Sequence, residues 1–392
     1  MALDQDGLRR VWDRMRTYVA AQMASFQPHI PFATTTLAGV VKPDGTSITV
    51  DNDGTIHGTE QTPIATSSVA GKVKPDGTTI SVDDDGVIST DAAVRIGRVG
   101  NPSRADTVAV IVGDDSDGRY TFPAIETLQS SMMRYDTNIV AADFPNCSSV
   151  GDYAFGGCRN LKELSMPLIE TVPTSMCRSL YSLETVYAPM CVRISSSAFE
   201  YCSSLTSISM PSCSFVGARG FGGCSSLSDV YLPSCGRIGS SAFAGCTSLS
   251  EISLPSCSFV ADRGFYYCRS LQRVNLPSCT TLYYSYCFGV CDSLSAAFLP
   301  KCTTIGASAF IYCLSLTELY LTEVSNATWV IGTDAFYNTP MVDSTLTGVY
   351  GSIYVPQSLY SDFVASSVWT SVSSRIVSVT VAEASAIRRM WS

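Results

Sequence analysis

The sequence predicts a repeat solenoid built from short parallel β-strands, and three regularities carry that prediction. A proline closes an apolar stretch once per repeat, a phenylalanine precedes that stretch at a fixed distance, and the stretch itself alternates between apolar and polar residues. The segment "AFAGCTSLSEISLPSCSFV", residues 242–260, contains all three features. A fixed repeat length is typical of proteins in which each unit packs only on its neighbours.

The proline spacing sets the repeat length. The prolines that close successive units are Pro123, Pro145, Pro167, Pro189, Pro211, Pro233, Pro255, Pro277 and Pro300. The step between them is 22 residues seven times and then 23. Since no unit of this length can bury its apolar side alone, stacking of the units predicts a parallel ladder with one continuous core, in the form of a curved solenoid.

The alternation within each unit predicts which side chains face the core. In residues 249–254, Ile252 and Leu254 are expected to point inward, while Glu251 and Ser253 point outward. The phenylalanines that recur in register are expected to form the spine of the core: Phe155, Phe199, Phe221, Phe243, Phe265, Phe288, Phe310 and Phe336. Cys177 replaces phenylalanine in one unit, which predicts a local thinning of that spine.

The consensus unit "IGxxAFxxCxSLxxIxLPxC" resembles the BspA-like leucine-rich repeats found in bacterial surface proteins and in phage structural proteins. The resemblance covers about residues 121–340, with eight or more copies in phase. It implies a leucine-rich-repeat fold. For function it implies binding, because repeat solenoids supply a surface and rarely a reaction.

Composition narrows the classes of function further. The chain has 392 residues, a net charge of −9 and only five lysines, with its arginines scattered along the sequence. Nucleic acid and membrane insertion are therefore disfavoured. The sequence has no Gly-x-Ser-x-Gly elbow and no P-loop, and its two histidines, His29 and His57, lie outside the repeats. We predict a protein without enzymatic activity and without a cofactor.

Sixteen cysteines fall mostly into two columns of the repeat, two residues after the proline and three after the phenylalanine. Members of one column are expected to lie about 5 Å apart, so disulfides between units are conceivable. The preferred interpretation is reduced thiols, because a free cysteine is a small and deeply buried apolar residue. Zinc is disfavoured because close C-x-x-C ligand pairs are absent from the sequence.

The first 26 residues, "MALDQDGLRRVWDRMRTYVAAQMASF", lack the uninterrupted apolar region of a secretory signal. Leu8, Val11, Met15 and Tyr18 instead form one apolar stripe of a predicted helix. Such a helix either packs on its own domain or associates with copies of itself, and the sequence leaves both alternatives open.

A second repeat follows, in which "TTLAGVVKPDGTSITVDNDGTIHG" recurs after 32 residues as "SSVAGKVKPDGTTISVDDDGVIST". Its Pro-Asp-Gly and Asp-x-Asp-Gly steps predict turns between short strands. Asp51, Asp53, Asp83 and Asp85 match part of a calcium-binding loop, but the rest of that loop is missing, and turns are preferred over metal. These units resemble shaft and attachment segments of phage tail fibres and baseplate appendages, which implies a homotrimer.

The sequence thus predicts five segments. Residues 1–32 are an amphipathic helix for attachment or oligomerisation, and residues 33–96 are the two β-rich repeats. Residues 97–120 are a junction, residues 121–340 are the leucine-rich-repeat solenoid, and residues 341–392 are a C-terminal cap containing a strand and an amphipathic helix.

The candidate binding residues lie at the outward strand position of the repeats, where rings offer flat apolar area at small entropic cost. The residues predicted to bind on the concave face are Tyr187, Tyr231, Phe298, Tyr320, Glu251 and Arg273. A second set is predicted in the loops: Tyr201, Tyr266, Tyr267, Tyr283, Tyr284 and Tyr312. For the loop set, half-buried packing positions are the preferred alternative.

Two classes of function remain, both non-enzymatic. In the first, the chain is a phage or prophage tail appendage, made in the bacterial cytoplasm and carried on the virion. Its N-terminus would bind other tail or baseplate proteins, and its solenoid would bind a glycan or protein receptor on the host cell. In the second, it is a bacterial cell-surface adhesin, which is disfavoured because the sequence offers no export or anchoring signal. An intracellular scaffold for a protein partner is a third possibility.

Overall fold

A computed structural model describes the strands between residues 48 and 112 and residues 118–391, apart from 123–124, 135–136, 138, 326–327 and 349. The chain divides into two compact units, Met1–Ile64 and Ala65–Ser392. The described part of the first unit is an antiparallel pair, β1 (Ile48–Val50) and β2 (Ile56–Gly58). The predicted N-terminal helix lies outside the described residues.

Antiparallel strands begin the second unit and continue to the edge of the solenoid. They are β3 (Lys72–Val73), β4 (Ile80–Val82), β5 (Ile88–Thr90), β6 (Val94–Arg98), β7 (Val108–Val112) and β8 (Arg119–Thr121). Strand pairs β1–β2 and β4–β5 flank the Asp-x-Asp-Gly steps, as the predicted turns require. Asp51, Asp53, Asp83 and Asp85 lie outside the described residues.

From β8 onward, a first ladder of parallel strands follows the repeat. Its further members are β10 (Ala141–Asp143), β12 (Glu163–Ser165), β14 (Thr185–Tyr187), β16 (Ser207–Ser209), β18 (Asp229–Tyr231), β20 (Glu251–Ser253), β22 (Arg273–Asn275), β24 (Ala296–Phe298), β26 (Glu318–Tyr320), β28 (Ser352–Pro356) and β29 (Ile376–Val379). Leu164 pairs with Val186 and Ile252 with Val274, so the register equals the 22-residue period. Hydrogen-bonded pairing is interrupted after β14 and after β18, so the first ladder consists of three sheets. The predicted parallel solenoid is confirmed.

A second set of parallel strands, the second ladder, follows the repeat in two sheets, and the sequence pattern does not predict it. It comprises β9 (Thr127–Leu128), β11 (Ser149–Val150), β13 (Thr171–Val172), β15 (Arg193–Ile194), β17 (Phe215–Val216), β19 (Arg237–Ile238), β21 (Phe259–Val260), β23 (Thr281–Ser285), β25 (Thr304–Ala307) and β27 (Val330–Ile331). The register shifts between Leu282 and Ser285. This irregularity falls in the one unit with a 23-residue step.

The phenylalanine column lies between the ladders as a continuous stack of rings. The ring centroids of Phe199 and Phe221 lie 5.3 Å apart with an interplanar angle of 4°. Stacking continues from ring to ring as far as Phe336. Cys177 is fully buried in the rung between Phe155 and Phe199, so a thiol stands there in place of a ring. The spine and its thin rung are both as the sequence predicts.

All sixteen cysteines are buried, with free thiols. In the column that follows the phenylalanines, each thiol reaches a backbone carbonyl of the preceding turn, as from Cys224 Sγ to Phe199 O at 3.1 Å and from Cys246 Sγ to Phe221 O at 3.3 Å. Burial raises the pKa of Cys224, Cys235 and Cys257 to about 12 in each case. Protonated, packed thiols of this kind are poor nucleophiles. Their redox state in the cell stays a prediction.

The C-terminal segment closes one end of the core. It contains helix α1 (Tyr360–Ala365), 3-10 turns at Ser344–Leu346, Gln357–Leu359 and Ser367–Arg375, and helix α2 (Val381–Trp391). The Phe363 ring packs 3.8 Å from the Trp329 ring, and Trp369 lies 6.3 Å from Phe336. Among the described residues, no helix has the length and apolar character needed to cross a bilayer.

Candidate binding surface

The first-ladder face consists of the outward side chains at the first and third positions of the ladder strands. Register places Tyr187 beside Ser165, Tyr231 beside Ser209, and Phe298 beside Tyr320, each pair one rung apart. The four aromatic residues occupy one column of the repeat, the third position of their strands, as the sequence predicts, but these strands belong to three separate sheets. They do not share one environment.

At one end of the first-ladder face, the column is open to solvent. Tyr187 and Tyr231 are each 41% exposed, and Ser209 lies between them in the same column. Glu251 is exposed in the neighbouring column, one turn after Asp229. The open end therefore offers two rings, hydroxyl groups and carboxylates on rigid backbone, a composition suited to recognition of a polar partner.

At the other end, the same column is covered. Phe298 is 1% exposed and Tyr320 is 6% exposed, so the predicted exposure of these two rings is wrong. The Tyr320 ring stacks on Tyr354 at 4.7 Å, and its hydroxyl donates a hydrogen bond to Glu318 Oε2 at 2.9 Å. Burial, followed by the neighbouring Glu318, raises the pKa of Tyr320 well above its usual range.

Helix α2 provides the cover. The Trp391 ring stacks on Phe298 at 5.5 Å with an interplanar angle of 12° and meets Tyr320 edge-on at 6.0 Å. The Arg273 guanidinium lies 4.2 Å from the centroid of the Trp391 ring, and Asn275 Nδ2 donates a hydrogen bond to Trp391 O at 2.7 Å. Arg273 is thereby engaged within the chain. Its predicted role in binding a partner stays a prediction.

The start and middle of helix α2 are fixed by polar contacts. Thr380 and Glu383 form a capping box, in which Thr380 N donates to Glu383 Oε2 at 2.7 Å and Glu383 N donates to Thr380 Oγ1 at 3.3 Å. The hydrogen bonds that Thr380 N and Thr380 Oγ1 donate to the Glu383 carboxylate lower its pKa. Further along the helix, Arg388 forms an ion pair with Glu323 at 2.8 Å. The cap and this ion pair thus fix the direction in which helix α2 crosses the first ladder.

The loop tyrosines are scattered over two sides of the solenoid. Tyr201, Tyr267 and Tyr312 are exposed in tight turns, where each has a left-handed backbone conformation with φ near +60°. Tyr266 is half-buried and lies 6.2 Å from Tyr267. This positive φ is a strained conformation for a tyrosine, so these residues are held in place by the turns around them.

Tyr283 and Tyr284 lie in strand β23 and not in a loop, which corrects their predicted location. They are 42% and 65% exposed, and their ring centroids lie 4.1 Å apart. The extra residue of the 23-residue unit displaces this strand and turns both rings toward solvent. Their part in binding stays a prediction.

Sequence reasoning missed Trp391, which decides which part of the column is open. The sequence signal for it is the Thr380-x-x-Glu383 pattern, which marks a helix start, followed by apolar residues at helical spacing, Ala384, Ile387 and Trp391. That pattern indicates a helix without indicating where the helix packs.

Within residues 118–391 as described, no group of three or more histidine, cysteine or acidic side chains is arranged to hold a metal.

A comparison with models of protein families agrees with the repeat. The model of the BspA type leucine-rich repeat region matches residues 126–235 and 214–343 in six copies, more than half of the chain. The protein therefore belongs to the BspA-type leucine-rich repeat family, as the repeat predicts. A comparison with curated proteins finds no match.

Three solved structures are similar to the chain at low identity. A leucine-rich repeat protein from Bacteroides ovatus is 19% identical with a TM-score of 0.49, covering 64% of this chain and 71% of that one. The leucine-rich repeat protein of T. pallidum is 24% identical with a TM-score of 0.33, covering 45% and 80%. The pneumococcal vaccine antigen PcpA is 14% identical with a TM-score of 0.36, covering 87% and 97%.

Proposed function

We propose that this chain is a non-enzymatic binding protein that contacts a cell-surface receptor, a glycan or a protein, through the open end of its first-ladder face. The observation that carries the proposal is the pair of exposed rings, Tyr187 and Tyr231, which occupy the same strand position two repeats apart. Rings on fixed backbone bind with little loss of conformational entropy. Asp229 and Glu251 supply hydrogen-bond acceptors beside them.

The experiment compares a double variant with a matched control. Fluorescently labelled full-length protein is applied to panels of bacterial cells and purified envelope glycans, and bound protein is measured at several concentrations. Y187A/Y231A should bind at least tenfold more weakly than the unmodified chain. Y181A removes a ring that is 52% exposed in a turn and should bind normally. Unchanged binding by the double variant contradicts the proposal.

The biological setting that we propose is a phage or prophage tail appendage, with residues 1–96 joining it to other tail or baseplate proteins and holding three copies together. Support comes from the resemblance of the 32-residue repeats to tail-fibre segments. Light scattering on residues 1–96 should give a trimer. A monomer at micromolar concentration would remove the physical basis of this setting.

A bacterial cell-surface adhesin is the second candidate, because BspA-type repeats also occur in bacterial surface proteins. Both settings use the same face, so the binding assay does not separate them. The genes that neighbour this one in the genome would distinguish the two settings. Tail, holin or lysin genes beside this one support the appendage, whereas export and anchoring genes support the adhesin.

A further inference from the structure

The second ladder carries a column of alternating charge and aromatic rings on the surface of the solenoid. Register places Arg193, Phe215, Arg237 and Phe259 on successive rungs of strands β15, β17, β19 and β21. The Arg193 guanidinium carbon lies 4.4 Å from the centroid of the Phe215 ring, and that of Arg237 lies 4.9 Å from the Phe259 ring. These contacts are cation–π pairs repeated at an interval of two rungs.

Both guanidinium groups have unused hydrogen-bonding capacity. In the described part of the chain, neither Arg193 nor Arg237 forms an ion pair or a side-chain hydrogen bond, and both are exposed. Other exposed arginines, such as Arg263 and Arg269, lie within 4 Å of a carboxylate. Stacking occupies the flat face of a guanidinium and leaves its in-plane N–H donors free for a bidentate acceptor.

A groove of about 480 Å³ runs along this column and is lined by the two arginines, both phenylalanines and small hydroxyl side chains. The hydroxyl residues of its lining are Thr174, Ser195, Ser196 and Ser240. Its lining contains no carboxylate. The lining of the groove is therefore positively charged, in a chain whose net charge is −9.

We propose that this groove binds a linear polysaccharide that carries carboxylate groups, with Arg193 and Arg237 each holding one carboxylate. Rungs are about 4.8 Å apart, so the two arginines lie about 10 Å apart along the solenoid axis. The length of one sugar unit along a polysaccharide is about the same as the distance between neighbouring rungs. Carboxylates on alternate sugars therefore reach both arginines, and the sugars between them meet ring edges and hydroxyl groups.

An acidic peptide fits this groove less well. An extended peptide repeats its side-chain direction about every 6.7 Å, which does not match the spacing of the two arginines. Peptides that bind sheets pair with a free strand edge. Here the strand backbones pair with one another from rung to rung, so a chain lying along the axis finds no backbone partner. A polysaccharide has no such requirement.

The test uses hyaluronan decasaccharide, in which every second sugar carries a carboxylate, titrated into the full-length protein by calorimetry. We expect saturable binding that weakens as sodium chloride is raised, and loss of binding when the carboxylates are converted to amides. R193Q/R237Q should bind at least tenfold more weakly. R263Q/R269Q makes the same change in net charge at arginines that already have carboxylate partners, and it should bind normally.

A second variant separates the stacked guanidinium from simple positive charge. R193K/R237K keeps both charges but loses the planar donor geometry, and it should bind at least fivefold more weakly than the unmodified chain. Equal binding by this variant, or equal loss in R193Q/R237Q and R263Q/R269Q, overturns the proposal. So does tighter binding of a poly-glutamate peptide than of the oligosaccharide, or no binding of hyaluronan at millimolar concentration. Unfolding midpoints of all variants by circular dichroism confirm that they remain folded.

Discussion

The two ends of the first-ladder face share the repeat and its aromatic strand position, but they differ in what lies on them and in strand pairing, which is interrupted after β14 and after β18 and is continuous from β20 onward. Tyr187 and Tyr231 stand in solvent, whereas Phe298 and Tyr320 lie under Trp391. The strand positions are equivalent in the repeat, so the difference in exposure of the rings does not originate in the repeat itself. It originates in a helix that joins the face from the far end of the chain. Equivalent positions in a solenoid are thus equivalent in geometry but not in availability.

The largest effect should come from the core that both ends share. Phe221→Ala removes one ring of the stack and should lower the free energy of unfolding by about 3 to 5 kcal/mol, because the neighbouring rings cannot fill the space. Ser228→Ala, on the exposed surface of the same turn, should change it by less than about 0.5 kcal/mol. Denaturant titration measures both. Equal effects would contradict the assigned register.

The next effect directly contrasts the two ends of the column. Phe298→Ala should destabilise the protein by about 3 kcal/mol, since the ring is buried between the ladder and Trp391. Tyr187→Ala occupies the equivalent position at the open end and should cost less than about 0.5 kcal/mol. Thermal and denaturant unfolding test this pair. A silent Phe298→Ala variant would mean that helix α2 does not cover this end in solution.

Removal of the cover itself should have a smaller effect. Trp391→Ala deletes the stacking partner of Phe298 and the cation–π partner of Arg273, and it should cost about 1 to 2 kcal/mol. Amide hydrogen exchange should rise in β24 and β26 and stay unchanged in β14 and β18. Arg375→Ala, which loses a similar contact to Tyr350, serves as the control and should leave β24 protected. Uniform exchange across all four strands would refute a local cover.

The smallest difference should appear at the thiols beneath the face. Cys235 follows the open strand β18 and Cys302 follows the covered strand β24 at the same position of the repeat, and both are buried. At pH 8 both should react with iodoacetamide at similarly slow rates, because the ladder and not helix α2 shields them. Mass spectrometry of quenched samples measures the rates, and denatured protein should yield sixteen alkylated cysteines. Much faster reaction at Cys235 would show that helix α2 protects the core as well as the surface.

These contrasts explain which features of the structure can be predicted from the sequence. The 22-residue proline step and the phenylalanine column predict the ladder, its register and the thin rung at Cys177, because each depends on contacts between adjacent repeats. The second ladder escaped notice because most of its strands are only two residues long and produce no measurable alternation. The packing of Trp391 over Phe298 could not be predicted from the sequence for a different reason. Asn275 and Trp391 are 116 residues apart, and no periodic pattern encodes that contact.

The rung at Cys177 has a mechanical consequence. In a one-dimensional stack, order passes only between neighbours, so the weakest interface sets where the stack divides. Ring stacking is continuous from Phe199 to Phe336 but does not cross the thiol to Phe155. Under tension along its axis, the solenoid should part first at this rung. The turns before Cys177 would then separate from the turns that carry Tyr231, and the ring stack from Phe199 to Phe336 would stay intact.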